Sequence, residues 1–395
     1  MEKKIDFLED LALILTACNI NLTDNTLVSE EMTNDKYKYV ILDNKAVVLT
    51  EYIGDKNVKT ISTPQTIDEY NVIAIGNNAF SDLYELENVL VSDGVTAVGK
   101  KAFYQCCSLK NIMLPKSLRF IGSKAFYNCE SLEQIEIPQR AVSVGKETFC
   151  NCESLKTVSL PETIKVISER AFAFCTSLEN ITLPQSLNLL EKGAFQNCSS
   201  LKTIEMPKSL SKISDDCFTF CTSLEKVVSS DNISKIGAYA FFGCTALKDF
   251  AFHAKLKIIG AFSFSLCTSL ERVNVPDTVT IIEEKAFAQC SSLKEVKLSK
   301  KLLAIENNAF NECALIDEIV IPGSVKIIGE QAFYKCEALS NVIILDGVET
   351  IEKKAFDECT SITDLQLSGT LISIGERAFS LAQKFGSYDA QPLAI

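Results

Sequence analysis

Residues 125–149 read AFYNCESLEQIEIPQRAVSVGKETF. The stretch opens on Phe126 and closes on Phe149, and the 23-residue step between those rings repeats along the chain. Phe80, Phe103, Phe126, Phe149, Phe172, Phe195, Phe218, Phe241, Phe264, Phe287, Phe310, Phe333, Phe356 and Phe379 all keep it. Three residues after the Phe, twelve of these fourteen units carry a cysteine, from Cys106 and Cys129 to Cys336 and Cys359; Leu83 and Ala382 fill the slot in the two end units. Six after it stands Leu or Ile, as in Leu109 and Leu132, and nine after it mostly Ile or Val, as in Ile112 and Val158. A fixed period of this length marks stacked units, each too small to bury its own apolar face and each covering the next.

The unit reads A-F-x-x-C-x-S-L-x-x-I-x-L-P-x-x-L-x-x-I-G-x-x. Within L-x-x-I-x-L the Ile and the second Leu lie two apart, so both leave one face of a strand. The Pro that often follows cannot donate to a sheet and ends the strand. The spacing predicts that I-G-x-x-A-F turns and climbs the far side as a short helix or 3₁₀ turn.

This unit resembles that of the BspA-like leucine-rich repeat family, whose consensus is LxxIxLPxxLxxIgxxAFxxC. The resemblance covers roughly residues 72–381. Residues 39–42, residues 47–50 and the TIDEYNV of 66–72 ahead of Ile75 and Gly76 are similar to the lead-in of that family. It implies an α/β fold: a right-handed leucine-rich-repeat solenoid, horseshoe or arc, with one long parallel β-sheet and short helical or 3₁₀ turns on the convex side. The expected division is a leading segment at 1–35, a β-rich cap at 36–71, about fourteen units of 23 at 72–381, and a polar tail at 382–395. The resemblance also implies a non-catalytic surface protein, an adhesin holding host or neighbouring-cell proteins on its concave sheet.

Composition excludes several chemistries. The net charge is −12, with 7 Lys/Arg against 13 Asp/Glu in residues 1–70 alone. An acidic chain repels phosphate backbones, so no nucleic-acid partner is expected. There is one histidine, His253, and no tryptophan, which removes the usual proton carrier of hydrolases. No G-x-S-x-G, phosphate loop or H-E-x-x-H is present, and no insertion breaks the register from Phe80 to Phe379. We therefore expect no catalytic residue, no metal and no cofactor.

The cysteine file reads as a column of small, buried, free thiols. Bridging neighbours would need dihedrals that parallel side chains supply poorly, and metal binding lacks C-x-x-C pairs. Seven after the Phe the charge alternates from unit to unit, from Glu87, Lys110, Glu133 and Lys156 to Lys294 and Asp317, and Ser340 and Thr363 end the pattern. In a parallel sheet this makes a cross-strand ladder.

Partner contacts are expected at the position ten after the Phe, which points out of the strand face. Apolar residues pair there as Leu90 with Met113, Val228 with Ala251, and Val320 with Ile343. The middle units depart from the pattern, with Ser229, Ser230, Phe250, Phe252 and His253 in slots that otherwise hold aliphatics or Pro. Two readings stand, a functional mark or large and small residues compensating each other in the core.

Residues 1–35 also read two ways. Leu15-Thr16-Ala17-Cys18 matches a lipobox, with Cys18 as the lipidated residue and a membrane association that depends on it. Alternatively Phe7, Leu8, Leu11, Ile14 and Leu15 share one face of an amphipathic helix, which the acidic Glu2, Asp6, Glu9 and Asp10 favour. The acidic leader and the thiol column point to a cytoplasmic scaffold, the resemblance to a cell-surface one. A ligand-free structural spacer is the third reading, and the last strand is a candidate edge for self-association.

Overall fold

A computed structural model describes Thr16, residues 30–42 and residues 44–380. The expected amphipathic helix with Phe7, Leu8, Leu11, Ile14 and Leu15, the candidate lipidation site Cys18 and the tail after residue 380 lie outside the described residues. The chain divides into two compact units, Met1–Cys198 and Ser199–Ile395, and forms a leucine-rich-repeat β-solenoid of about fourteen turns with parallel strands.

Two strand columns run through each unit, where one long sheet was expected. In the first, residues eight to ten after a Phe pair in parallel with the same residues one turn on, in runs interrupted at turns such as that of Ala251. Thr60–Ser62, Asn88–Leu90 and Asn111–Met113 form one such run, and Gln134–Glu136 pairs with Thr157–Ser159. In the second unit Thr203–Glu205 pairs with Lys226–Val228, Arg272–Asn274 with Glu295–Lys297, and Glu318–Ile321 with Asn341–Ile344 and then Asp364–Gln366. The second column uses two residues, six and five before each Phe. Its longest run has eight strands, from Lys212–Ile213 through Ile327–Ile328 to Ser373–Ile374. From Ala74 and Asn88 onward both columns step by 23 residues, so each paired residue meets its own counterpart one turn on.

No helix forms among residues 30–380, so the α/β expectation and its helical or 3₁₀ turns are corrected to an all-β solenoid. The reason is visible around Phe103. Ala102 N donates to Gly99 O, Tyr104 N to Lys101 O and Cys106 N to Phe103 O, three overlapping four-residue turns. The intervening amides leave the turn. Lys101 N donates to Ser123 O, Phe103 N to Ala125 O and Gln105 N to Tyr127 O, all one turn on. A helix keeps its amides to itself in i→i−4 bonds; here half are exported along the stack. That export is possible because Lys101 (φ 56°) and Gln105 (φ 58°) are left-handed, the conformation a type II turn requires at its third residue. The same two positions, two before and two after the Phe, are left-handed throughout, and Gly193 and Gly243 are the glycines among them.

The core is a column of rings. Phe80, Phe103, Phe126, Phe149 and Phe172 are fully buried and face one another at 5.2 to 5.4 Å with interplanar angles of 3° to 9°. In the second unit the column from Phe218 to Phe379 repeats this spacing. Offset stacking at this separation is the arrangement ring quadrupoles prefer. Two tyrosines extend the first column backwards. Tyr52 stacks on Phe80 at 5.9 Å, and Tyr37 meets both edge-on. Tyr52 N donates to Ala79 O, as Phe80 N does to Ala102 O. Burial, with the neighbouring Tyr52 adding to it, pushes the Tyr37 hydroxyl up to about 12.

The cysteine column has a second purpose beside packing. Thiols of the column donate to the carbonyl of a Phe in the preceding turn: Cys129 to Phe103 O (3.3 Å), Cys152 to Phe126 O (3.2 Å), Cys267 to Phe241 O (3.2 Å). That carbonyl already accepts the amide of its own turn's Cys, as Phe103 O does from Cys106 N. Both lone pairs of a buried carbonyl are thus used. The fifteen described cysteines are all free.

Candidate functional site

The first strand column carries the residues singled out from sequence. Leu90 and Met113 are register partners on adjoining strands and are 46% and 67% exposed. Val320 and Ile343 are likewise partners, the first exposed and the second half-buried. Val228 is exposed beside Glu205, and Ala251 is exposed on a turn that forms no strand. The three pairs occupy separate turns and do not merge into one patch.

Around Met113 the face is not flat. A cavity of about 710 Å³ lies over three neighbouring turns, lined by Met113, Lys116, Glu136, Pro138, Arg140 and Ser159 among others. Its walls mix an apolar floor with both signs of charge, a lining suited to holding a polar chain in place. Among the described residues no cluster of His, Cys, Asp and Glu could hold a metal ion, and no helix is long and apolar enough to cross a membrane.

Beside this face runs the charge file. Lys110 Nζ lies 2.9 Å and Lys59 Nζ 3.0 Å from the carboxylate of Glu87, and Lys156 lies 3.7 Å from Glu133. Hydrogen bonds from Lys110 and then Lys59, with their charges, hold the Glu87 carboxyl below its usual range. In the second unit the side chains of Glu225, Lys248, Glu271, Lys294 and Asp317 reach no opposite charge within 4.0 Å among the described residues, although their backbones pair, as Lys294 N does with Glu271 O. The ladder is therefore a backbone file with ion pairs in its first turns. Exposed pairs of this kind contribute little each and are screened by salt. Lys110→Glu is expected to lower Tm by a few degrees at most in dilute buffer, with the difference gone in 1 M NaCl; a salt-independent loss would point to packing instead.

The irregular middle turns resolve toward compensation. Phe250 is buried between Phe241 and Phe264, with centroids 5.3 and 5.1 Å away, and Phe252 packs on Phe250 at 4.8 Å. Ser230 is buried too. His253 Nε2 lies 3.1 Å from Ser229 O and Nδ1 2.9 Å from Asp231 Oδ1, so the ring ties its turn to the preceding one.

Sequence reasoning missed an aromatic cluster on the turn side of the second unit. Tyr239 stacks on Phe262 at 4.6 Å and meets Phe242 at 5.5 Å, and Phe220 meets Phe242 at 5.2 Å. Lys285 sits 5.0 Å over the Phe262 ring. These residues occupy the left-handed slots and the one between them, which the sequence pattern marks only as variable.

Comparison with known proteins follows the geometry. No curated protein matches the chain. Among solved structures, a leucine-rich repeat protein from Bacteroides ovatus ATCC 8483 is 26% identical, covering 89% of this chain and 92% of its own, with a TM-score of 0.69. A leucine rich cell surface protein from Faecalibacterium prausnitzii A2-165 is 23% identical over 86% of this chain and 95% of its own, TM-score 0.51. The pneumococcal vaccine antigen PcpA is 18% identical over 85% and 93%, TM-score 0.52. The last two show likeness of fold. The sequence matches the description BspA type leucine rich repeat region (6 copies) over residues 51–166, 142–271, 212–336 and 257–385, and the chain belongs to that family.

Proposed function

We propose that this chain is a non-catalytic scaffold that holds a protein partner on the outer face of its first strand column. The observation that carries this is the Leu90–Met113 pair, two large apolar side chains adjacent in register, 46% and 67% exposed, with Met113 lining a cavity of about 710 Å³. Exposed apolar neighbours on a strand face are contact sites when they are held rigidly beside polar groups. Val228, Ala251, Val320 and Ile343 extend the surface on other turns. Residues 36–71 serve as its cap and 72–381 as the binding solenoid.

Its place is the cell surface, as the family implies, with neighbouring-cell or host proteins as partners. One observation favours an intracellular scaffold: the buried thiols act as hydrogen-bond donors only while reduced and protonated. Fractionation with the intact mass separates the two readings. A membrane-bound species starting at a lipid-modified Cys18 establishes the surface reading, and a soluble species retaining residues 1–18 ends it.

Binding itself is tested by Met113→Glu and Val320→Glu. At least one is expected to weaken capture of the cognate partner tenfold or more while Tm stays within a degree or two of the parent, since both side chains are exposed. Full retention of the partner in both variants would leave the chain a spacer, or place binding on another face.

A further inference from the structure

The second strand column of the second unit carries a charge pattern opposite to that of the protein. Residues 208–212, 231–235, 254–258, 277–281, 300–304 and 323–327 are the corresponding segments of six successive turns, and they hold eight lysines and two aspartates, a net of +6 in a chain of net −12. All eight lysines are exposed. Among the described residues only Lys326 of these has an ion pair, with Glu349 at 2.7 Å. Both aspartates are hydrogen-bonded: Asp231 Oδ1 is held by His253 Nδ1, and Asp277 Oδ1 accepts the Lys300 amide.

Two further features are unlike an ordinary solvated face. Lys212 and Lys235 are direct register partners on adjoining parallel strands. Like charges so placed repel, and among the described residues neither has a carboxylate within 4.0 Å. Next along the column the same register position turns apolar, Lys235 meeting Ile258, then Ile281, Ala304 and Ile327. Ile327 is 47% exposed, and Leu303, on the same edge, 55%.

We propose that this strip is a second docking surface, distinct from the Met113 face, and that its occupant is an acidic polypeptide segment bearing aliphatic side chains. The charge is complementary to carboxylates, and the aliphatic row supplies what a purely electrostatic ligand would not use. A nucleic acid would bring anions to the lysines but no aliphatic side chain to the row from Ile258 to Ile327. A lipid surface is disfavoured because these aliphatic residues lie within a sheet face, half-covered, and do not project the 5–10 Å that interfacial burial uses. Six turns at about 4.8 Å span roughly 24 Å, the length of seven to eight extended residues.

The probe is a fluorescent octapeptide of alternating Glu and Leu, titrated against the full chain by anisotropy in 50 mM salt, beside a Lys–Leu octapeptide, phosphatidylserine vesicles and duplex DNA. The Glu–Leu peptide is expected to bind, and 500 mM salt to weaken it at least tenfold. The Lys212→Glu/Lys235→Glu double variant should lose tenfold or more with Tm little changed, because one exposed like-charge pair replaces another. Leu303→Ser/Ile327→Ser should also weaken binding, whereas Met113→Glu should not, which keeps this test independent of the first surface. No binding, equal binding of the Lys–Leu peptide, indifference to the charge reversal, or binding of vesicles or DNA in place of the peptide would each overturn the proposal.

Discussion

Replacing Phe149 by alanine is expected to lower the unfolding free energy by about 3–5 kcal/mol, the range for truncating a fully buried aromatic ring. Phe149 has no exposed surface and stacks between Phe126 at 5.3 Å and Phe172 at 5.4 Å. Its removal abolishes two ring contacts and opens a void that neighbouring turns cannot close, because their amides are fixed to one another on both sides, Phe126 N to Thr148 O and Phe149 N to Ala171 O. Stability in a stacked array is close to a sum of unit and nearest-neighbour contributions. The damage should therefore be local, with hydrogen exchange accelerated first in the turns of Phe126, Phe149 and Phe172. Phe149→Leu keeps most of the volume and should cost about half as much or less. Denaturant melts with hydrogen-exchange mass spectrometry check both. A cost below about 1 kcal/mol would mean that the ring column is not the core of the first unit.

The Phe column and the period were legible because a buried ring can be replaced by nothing of another size without a void, so the same letter returns every 23 residues. The turns were not. Spacings of three in A-F-x-x-C imitate one face of a helix, and the information that forbids one sits in the left-handed slots two residues to either side. Those slots hold Lys101, Glu147, Arg170 and Gln289, none of which signals a positive φ as Gly or Asn does. Exported hydrogen bonds offset that strain, and they depend on the next turn, which a local reading does not see. Tyr52 escaped for a different reason. It lies 28 residues before Phe80, so it falls off the period although its ring stays in the column.

The candidate surfaces divide in the same way. Leu90 and Met113 could be named because the strand pattern states which residues point outward. Lys212 facing Lys235 could not, since the second column is two residues long and carries no alternation to read. Its existence follows from the close approach of turns at positions such as Gly122, where a Cβ would lie 2.5 Å from Lys100 N.

Raising the pH should unfold the protein abruptly between about pH 9 and pH 11, ahead of any gradual titration of its thiols. Burial removes water from the would-be thiolates: it pushes Cys106 up to about 12 and Cys150 to about 11, and Cys129, Cys175 and Cys244 well above the usual thiol range. The folded chain therefore keeps protons that the unfolded chain releases near pH 9. The contribution is fully present below pH 9 and is lost as pH rises from there toward the folded values. Each thiol removes about 1.4 kcal/mol per pH unit in that window, so five in one unit remove roughly 7 kcal/mol, more than half the stability of an ordinary domain. Ionisation would also convert a donor into an acceptor facing the Phe carbonyl it had bonded, as at Cys152 and Phe126. Thiolate absorbance near 240 nm and far-ultraviolet circular dichroism should change together in one steep step, and Cys129→Ala/Cys152→Ala should make that step shallower by two protons. Absorbance rising smoothly while the dichroism held constant would show thiols ionising in place, and the column would then be neither dry nor a source of cooperativity.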